Sequence, residues 1–147
     1  MARRFLYIFF LTSILLYSCM KDEALWYPDY EGIGPSTTGV FIINEGNFTY
    51  NNSSLSYYEI ERKEAYNDVF FNTNALPLGD VALSMEIRDS LGFIVVNNSG
   101  KINIIDIDNF EYRGKITGLS SPRYIHFINS DKAYVSDLYA RSLTIVN

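Results

Sequence analysis

The chain has few of the residues that build disulfides, metal sites and acid–base centres. Its 147 residues include one cysteine, one histidine and one tryptophan. A single cysteine excludes an internal disulfide. One histidine offers little to hydrolytic or lyase chemistry, which needs several acid–base or metal-binding groups. These shortages predict a protein that is not an enzyme and that uses no cofactor.

Basic residues are also scarce. Lysine and arginine number 12 against 17 aspartate and glutamate residues, which gives a net charge of -5 at pH 7. Nucleic acid and anionic membrane surfaces bind basic patches, so we expect neither as a partner. Aromatic residues are abundant by contrast, with twelve tyrosines and ten phenylalanines. They suit β-strands and surfaces that stack on flat or sugar-like ligands.

The N-terminal apolar run is too short to span a bilayer. It covers residues 5–17 without a charge and follows Arg3 and Arg4. A spanning helix needs about 20 apolar residues, whereas a signal-peptide core is shorter and follows a basic segment. We therefore interpret residues 1–18 as a signal peptide. Its removal would make the net charge more negative.

The end of this run resembles the lipobox of bacterial lipoproteins, here Leu16-Tyr17-Ser18-Cys19. The resemblance implies that Cys19 is acylated and becomes the mature N-terminus; each buried CH₂ of an acyl chain contributes about 0.8 kcal/mol of anchoring. The alternative is a secreted protein with an incidental cysteine.

Met20-Lys21-Asp22-Glu23 resembles the export signal of surface lipoproteins in Bacteroides-type bacteria, which implies the outer face of the outer membrane. The alternative is that these charged residues only keep a tether solvated. We interpret residues 19–37 as a tether whether or not they carry an export signal.

From Thr38 onward, short β-rich runs alternate with turn residues, which predicts an all-β domain over residues 38–147 without a useful amphipathic helix. Three runs of β-formers end in Asn or Asp, and each is followed by a second short strand. The runs end at Asn44, Asn97 and Asp137 within the stretches 39–46, 92–100 and 132–140, and the last two stretches begin 40 residues apart. A period near 40 is typical of a propeller blade made of four short strands.

One complete blade and two incomplete ones are predicted. The complete blade has strands at 82–88, 91–97, 101–107 and 111–117. The incomplete blades have strands at 40–44 and 55–59 before it, and at 123–129, 133–137 and 142–147 after it. A ring needs about 4–8 blades, and these are about two and a half. We therefore interpret residues 38–147 as the front part of a longer protein, with a self-assembling partial ring as the alternative.

These segments resemble a known group of propellers. GVFIINEGNFTYNNSSLSYYEIE, LGDVALSMEIRDSLGFIVVNNSGKINIIDID and RYIHFINSDKAYVSD are similar to surface propellers of Bacteroides-type bacteria, and AYVSDLYARSLTIVN is similar to the YVTN repeat of YncE-like propellers. The group includes BtuG-type lipoproteins, which capture cobalamin and pass it to a TonB-dependent transporter. The resemblance implies a small-molecule ligand, with a corrinoid as the leading candidate, and such a transporter as partner. The alternatives are an adhesion, glycan-binding or protein-interaction propeller, or a truncated fragment without function.

In a blade, the loops between second and third strands and those between successive blades emerge on one side. Here these loops are 44–54, 71–81, 97–101, 117–122 and 137–142. Their aromatic rings, amides and guanidinium group suit a polar ligand with flat faces. The candidate ligand-binding residues are Glu45, Asn47, Phe48, Tyr50, Asn51, Asn52, Asn98, Tyr139 and Arg141. Loops of any β-protein are rich in Asn, Ser and Tyr, so the length of the first loop carries more weight than any single residue.

Three further features lie outside the candidate ligand-binding residues. His126 alternates with Ile125 and Phe127, and we expect a structural hydrogen bond from it. Residues 106–109 lack the ligand series of a calcium loop, so we predict a hairpin turn there. Asp89-Ser90-Leu91 resembles an O-glycosylation motif of Bacteroides-type exported proteins and falls at a predicted turn.

Overall fold

Ten β-strands and one short helix make up residues 38–147, the part of the chain that the computed structural model describes. The predictions for the signal peptide, Cys19 and the tether lie outside these described residues. The strands form three antiparallel sheets, none of them closed, so the all-β prediction is confirmed. The first sheet contains β1 (Gly39–Asn44), β2 (Ser54–Glu59) and β3 (Glu64–Tyr66). The third contains β8 (Pro122–Asn129), β9 (Lys132–Asp137) and β10 (Thr144–Val146).

The middle sheet confirms the predicted four-stranded unit. Its strands are β4 (Ala82–Arg88), β5 (Leu91–Val96), β6 (Lys101–Asp106) and β7 (Tyr112–Ile116), and they lie side by side in chain order. The predicted turns at 89–90 and 106–109 are also present. Strand β5 is apolar along its whole length because both of its faces are covered by other sheets.

The segment after the first sheet differs from the prediction. A six-residue helix, α1 (Val69–Asn74), begins before the predicted 71–81 loop and occupies its first part. Six residues are too few for a helical period to show in the sequence. Tertiary contacts hold the helix instead. Val69 and Phe70 are buried, and the Asn74 side chain donates to the carbonyl of Phe110 and accepts from the Tyr112 N–H.

The sheets pack face to face in succession. Phe41 and Tyr57 of the first sheet meet Phe110, which lies in the turn between β6 and β7, with ring centroids 5.8 and 5.4 Å away. On the other face of the middle sheet, Phe93 meets Phe127 of the third at 4.7 Å. The core between the middle and third sheets consists of Phe93, Val95, Ile102, Ile125, Ala133 and Val135.

The third sheet is offset by one residue from the sequence repeat. The backbone N–H of Asn97 donates to the Val81 carbonyl. In the third sheet the equivalent bond runs from the Leu138 N–H to the Ser121 carbonyl, whereas the 40-residue sequence repeat places Asp137 at the position of Asn97. A β-bulge in β8 between Phe127 and Asn129 adds the extra residue.

His126 does not have the predicted role. Its strand neighbour Ile125 is buried while His126 is exposed, as the alternation requires. Its side chain makes no hydrogen bond to any residue of the described range, so the predicted structural hydrogen bond is wrong. The physical reason is that none of the three described sheets packs on this face of β8.

Candidate functional site

The predicted loops are joined to one another by hydrogen bonds at one end of the sheets. Ser53 of the first loop bridges to Gly79, whose carbonyl accepts from the Ser53 backbone N–H at 3.2 Å and from its hydroxyl at 2.6 Å. The next residue, Asp80, contacts two further loops. The loop end of the sheets is therefore one connected surface.

Asp80 is the centre of this surface. Its side chain is 8 % exposed, and its Oδ2 accepts from the backbone N–H of Thr49 at 2.9 Å and from the side-chain amide of Asn98 at 2.6 Å. Its own N–H donates to Ser99 Oγ. Its Oδ1 is buried and has no hydrogen-bond partner among the described residues. Leaving such an atom unpaired is costly, so the loops enforce its position.

A second set of bonds extends the connection to the last loop. Asn97 is buried, and its side-chain amide donates to Ser121 Oγ and to the Pro122 carbonyl, both at 2.9 Å. The Ser121 N–H donates to Asp137 Oδ2 at 2.6 Å. Backbone N–H groups of Ser121 and Tyr139 lower the pKa of Asp137 because they stabilise its ionised form.

A cleft of about 350 Å³ opens between the first loop and the helical segment; we call it the loop-end cleft. Its volume is at the lower end of the usual range for small-molecule sites. Its lining is Asn51, Asn52, Ser53, Ser54, Leu55, Asp68, Phe70, Phe71, Pro77 and Leu78. Phenylalanine, proline and leucine side chains thus form one part of the lining, and amides and hydroxyls form another.

The charge of the cleft is negative. Among the described residues that line it, Asp68 is the only charged one. Asp68 stands at the N-cap position of α1, with φ 55°, but its carboxylate makes no capping hydrogen bond. That carboxylate is exposed to solvent at the cleft. The cleft therefore favours neutral or cationic ligands with N–H or O–H donors over anions.

The structure brings some of the predicted ligand residues together but not all. Asn51 and Asn52 line the cleft, and Asn98 reaches the first loop through Asp80. Asn47 donates its backbone N–H to Asn52 Oδ1 and so shapes that loop. Phe48 and Tyr50 are exposed beside them without lining the cleft.

The remaining predicted residues lie apart from the cleft. Tyr139 is exposed, and its backbone N–H donates to Asp137. Glu45 and Arg141 are exposed as well, and neither forms an ion pair within residues 38–147. Tyr139 and Arg141 make no hydrogen bond or ring contact with the first loop in the described part of the chain.

Sequence reasoning missed Asp80 and the helical wall of the cleft. Phe70 and Phe71 come from the helix that the sequence did not reveal, and Leu78 follows it. One sequence feature could have identified Asp80: it is an acidic residue that directly follows a glycine and lies between apolar residues. An acidic residue in such surroundings is more typical of a buried contact between loops than of a solvated turn. Its burial arises from long-range contacts that no local pattern encodes.

A second cavity, of about 410 Å³, lies between the middle and third sheets. Its apolar lining includes Phe93, Ile104, Ile116, Phe127 and Val146. These side chains also pack around the core between the two sheets, and none belongs to the predicted loops. This cavity is therefore a gap in sheet packing, and the loop-end cleft remains the candidate site.

No family model matches the chain, and no curated protein sequence is significantly similar to it. Within residues 38–147, no three His, Cys, Asp or Glu side chains are grouped so that they could hold a metal ion. In the same range, no helix has the length and apolar character required to cross a membrane.

Proposed function

We propose that the protein binds a small molecule at the loop end of its sheets and does not act as an enzyme. The observation that carries this proposal is that the long first loop and a wall with Phe70 and Phe71 line the same cleft. The Asp80 carboxylate and the Gly79 carbonyl hold that loop in place through hydrogen bonds from Thr49 and Ser53. A prearranged polar loop beside an apolar wall binds with a small entropic cost, which favours capture of a ligand.

We further propose that the three sheets are successive blades of a YncE-like propeller. Two features support this: each sheet keeps its second and third strands in the same relative order, and equivalent residues point in the same direction along the stack. Phe41 and Phe93 both face the next sheet, for example. The loop-end cleft then belongs to the side of the ring on which propellers bind ligands.

The leading ligand is a corrinoid, as the resemblance to BtuG-type lipoproteins implies. Its amide arms are hydrogen-bond donors and acceptors that match Asn51, Asn52 and Asp68. A whole corrinoid is larger than the cleft, so only part of it would enter. The exposed rings of Phe48 and Tyr50 would cover flat portions outside it.

The proposed setting is the outer surface of the outer membrane, with acyl chains on Cys19 as the anchor and a TonB-dependent transporter as the recipient of the ligand. The sequence from Leu16 to Glu23 supports this setting. Cell fractionation tests it: the Cys19→Ala variant should move from the membrane fraction to the soluble fraction, while Ser18→Ala should stay with the membrane. Equal membrane association of both variants would remove the lipid anchor from the account.

Titration calorimetry of the full chain in mild detergent with cyanocobalamin tests the ligand. We expect binding at micromolar concentrations and at least tenfold weaker binding for Phe71→Ala, about 1.4 kcal/mol, because the exposed ring forms the cleft wall. Tyr124→Ala removes another exposed ring outside the loops and serves as the matched control. No heat with any variant would exclude the corrinoid, and equal binding by Phe71→Ala would exclude the cleft.

A further inference from the structure

Two lysines lie close together on one face of the middle sheet. In the ladder between β6 and β7, Asn103 is directly opposite Lys115. Lys101 comes two residues before Asn103 in β6, so its side chain points to the same face. Residues at such diagonal positions on neighbouring strands are within reach of each other when their side chains are long. We call Lys101 and Lys115 the lysine pair.

The backbone of Gly79 packs against the side chain of Lys101. A Cβ on Gly79 would lie 2.7 Å from Val96 Cγ1 and 3.2 Å from Lys101 Cε, and the φ of Gly79, 136°, disfavours any side chain there. Lys101 is half-buried as a result, whereas Lys115 is exposed. This packing restricts a side chain that otherwise has much rotamer freedom. The ammonium group of Lys101 is therefore held near Lys115.

Within residues 38–147, no acidic side chain neutralises the lysine pair, since neither lysine forms an ion pair or a side-chain hydrogen bond there. Burial, and then repulsion from Lys115, lower the pKa of Lys101. Folding thus disfavours the charged form of Lys101, and the lysine pair costs stability at neutral pH. Such a cost is typical of residues that serve binding more than stability.

We propose that the lysine pair binds an oxyanion of the phosphate class. A phosphate group supplies the negative charge that the pair lacks, and its oxygens accept hydrogen bonds from both ammonium groups. Lys101 begins β6 directly after the turn at 97–100, so this site lies at the loop end of the sheets. Neither lysine lines the loop-end cleft. The proposal therefore does not rest on the ligand proposed for the cleft.

Phosphorus NMR of inorganic phosphate, titrated with the full chain in mild detergent at constant ionic strength, tests the binding. The parent should broaden the phosphate signal in a saturable way. Lys115→Gln should bind at least about tenfold more weakly, because it removes a charge-assisted hydrogen bond. Lys63→Gln removes an exposed lysine from the turn between β2 and β3 and should bind like the parent. No broadening by the parent, or equal binding by Lys115→Gln, would overturn the proposal.

Two further anions define the chemical class of the ligand. Methyl phosphate that binds as well as inorganic phosphate would indicate the phosphate group of a larger organic molecule. Methyl phosphate that binds at least about tenfold more weakly would indicate free phosphate, and either result supports an oxyanion of the phosphate class. Acetate carries one charge and should bind more weakly than phosphate. Acetate that binds as tightly as phosphate would overturn the assignment.

Thermal unfolding gives a readout that does not depend on the phosphate signal. In chloride alone, Lys115→Gln should unfold at the same temperature as the parent or at a higher one, because it removes a repulsion between like charges. Added phosphate should raise the midpoint of the parent and leave that of Lys115→Gln unchanged. A lower midpoint for Lys115→Gln in chloride would mean that a carboxylate of this chain already neutralises the lysine pair. That result would overturn the proposal.

Discussion

The side-chain amide of Asn98 donates a hydrogen bond to Asp80 Oδ2 at 2.6 Å, and the backbone N–H of Thr49 donates to the same oxygen at 2.9 Å. One oxygen of the Asp80 carboxylate thus joins the first loop to the turn between β5 and β6. Hydrogen bonds to a charged group are stronger than neutral ones. The pair gives the first loop a fixed position beside the cleft.

The first prediction concerns this pair. Asp80→Ala should lower the free energy of unfolding by about 1–3 kcal/mol, because it leaves the Thr49 N–H and the Asn98 amide without their acceptor. Asn98→Ala should cost less, since it removes one donor of two. A double-mutant cycle by urea denaturation should give a coupling of about 0.5–3 kcal/mol. Strict additivity would mean that the bond contributes nothing to the loop.

The second prediction concerns Asn97, whose amide joins the middle sheet to the start of β8. Asn97→Ala should destabilise the fold by about 1–3 kcal/mol, because the buried Pro122 carbonyl loses its donor. Asn98→Ala, at the adjacent exposed position, is the comparison. Thermal denaturation should show the larger loss for Asn97→Ala, and the reverse order would contradict this role.

The third prediction uses two glycines with left-handed backbones. Gly100 has φ 59°, and a Cβ there would lie 2.5 Å from the Leu119 carbonyl oxygen. Gly118 has φ 79° with open space around it. Both alanine variants should lose about 1–2 kcal/mol of unfolding free energy from backbone strain. Gly100→Ala should lose about 1–3 kcal/mol more from the clash. Equal losses would mean that these two loops do not touch.

The fourth prediction concerns pH. The lowered pKa of Asp137 in the folded chain, caused by the N–H groups of Ser121 and Tyr139, means that its ionised form stabilises the fold. This stabilisation is present above about pH 4, near the pKa of an unfolded aspartate, and disappears as pH falls through the lower folded value. The unmodified chain should therefore exceed Asp137→Asn in stability at pH 7, and this difference should decrease as pH falls below about 4. A constant difference across this range would contradict the assignment.

The middle sheet could be predicted because each of its strands is a short apolar run bounded by turn residues. Arg88-Asp89-Ser90 and Asn98-Ser99-Gly100 mark where the chain reverses, and the strands begin and end within about a residue of those marks. Local chemistry is sufficient there. The one-residue offset of the third sheet from the sequence repeat could not be predicted. It results from a bulge in β8, and that bulge depends on the packing of Phe127 against the middle sheet.

The candidate site could be predicted only in part, for a similar reason. The first loop is visible in the sequence as an extended polar run, and Asn51 and Asn52 do line the cleft. The opposite wall comes from Phe70 and Phe71 on a helix of one and a half turns. Tertiary contacts rather than helical periodicity hold that helix, so its sequence resembles a loop.

Hydrogen-exchange mass spectrometry on the full chain, with and without saturating cyanocobalamin, tests the proposed capture of a ligand at the loop end most directly. We expect slower exchange in peptides that cover residues 47–55 and 68–80, and unchanged exchange in residues 123–129. Unchanged exchange in both loop-end segments, or protection confined to other strands, would contradict it.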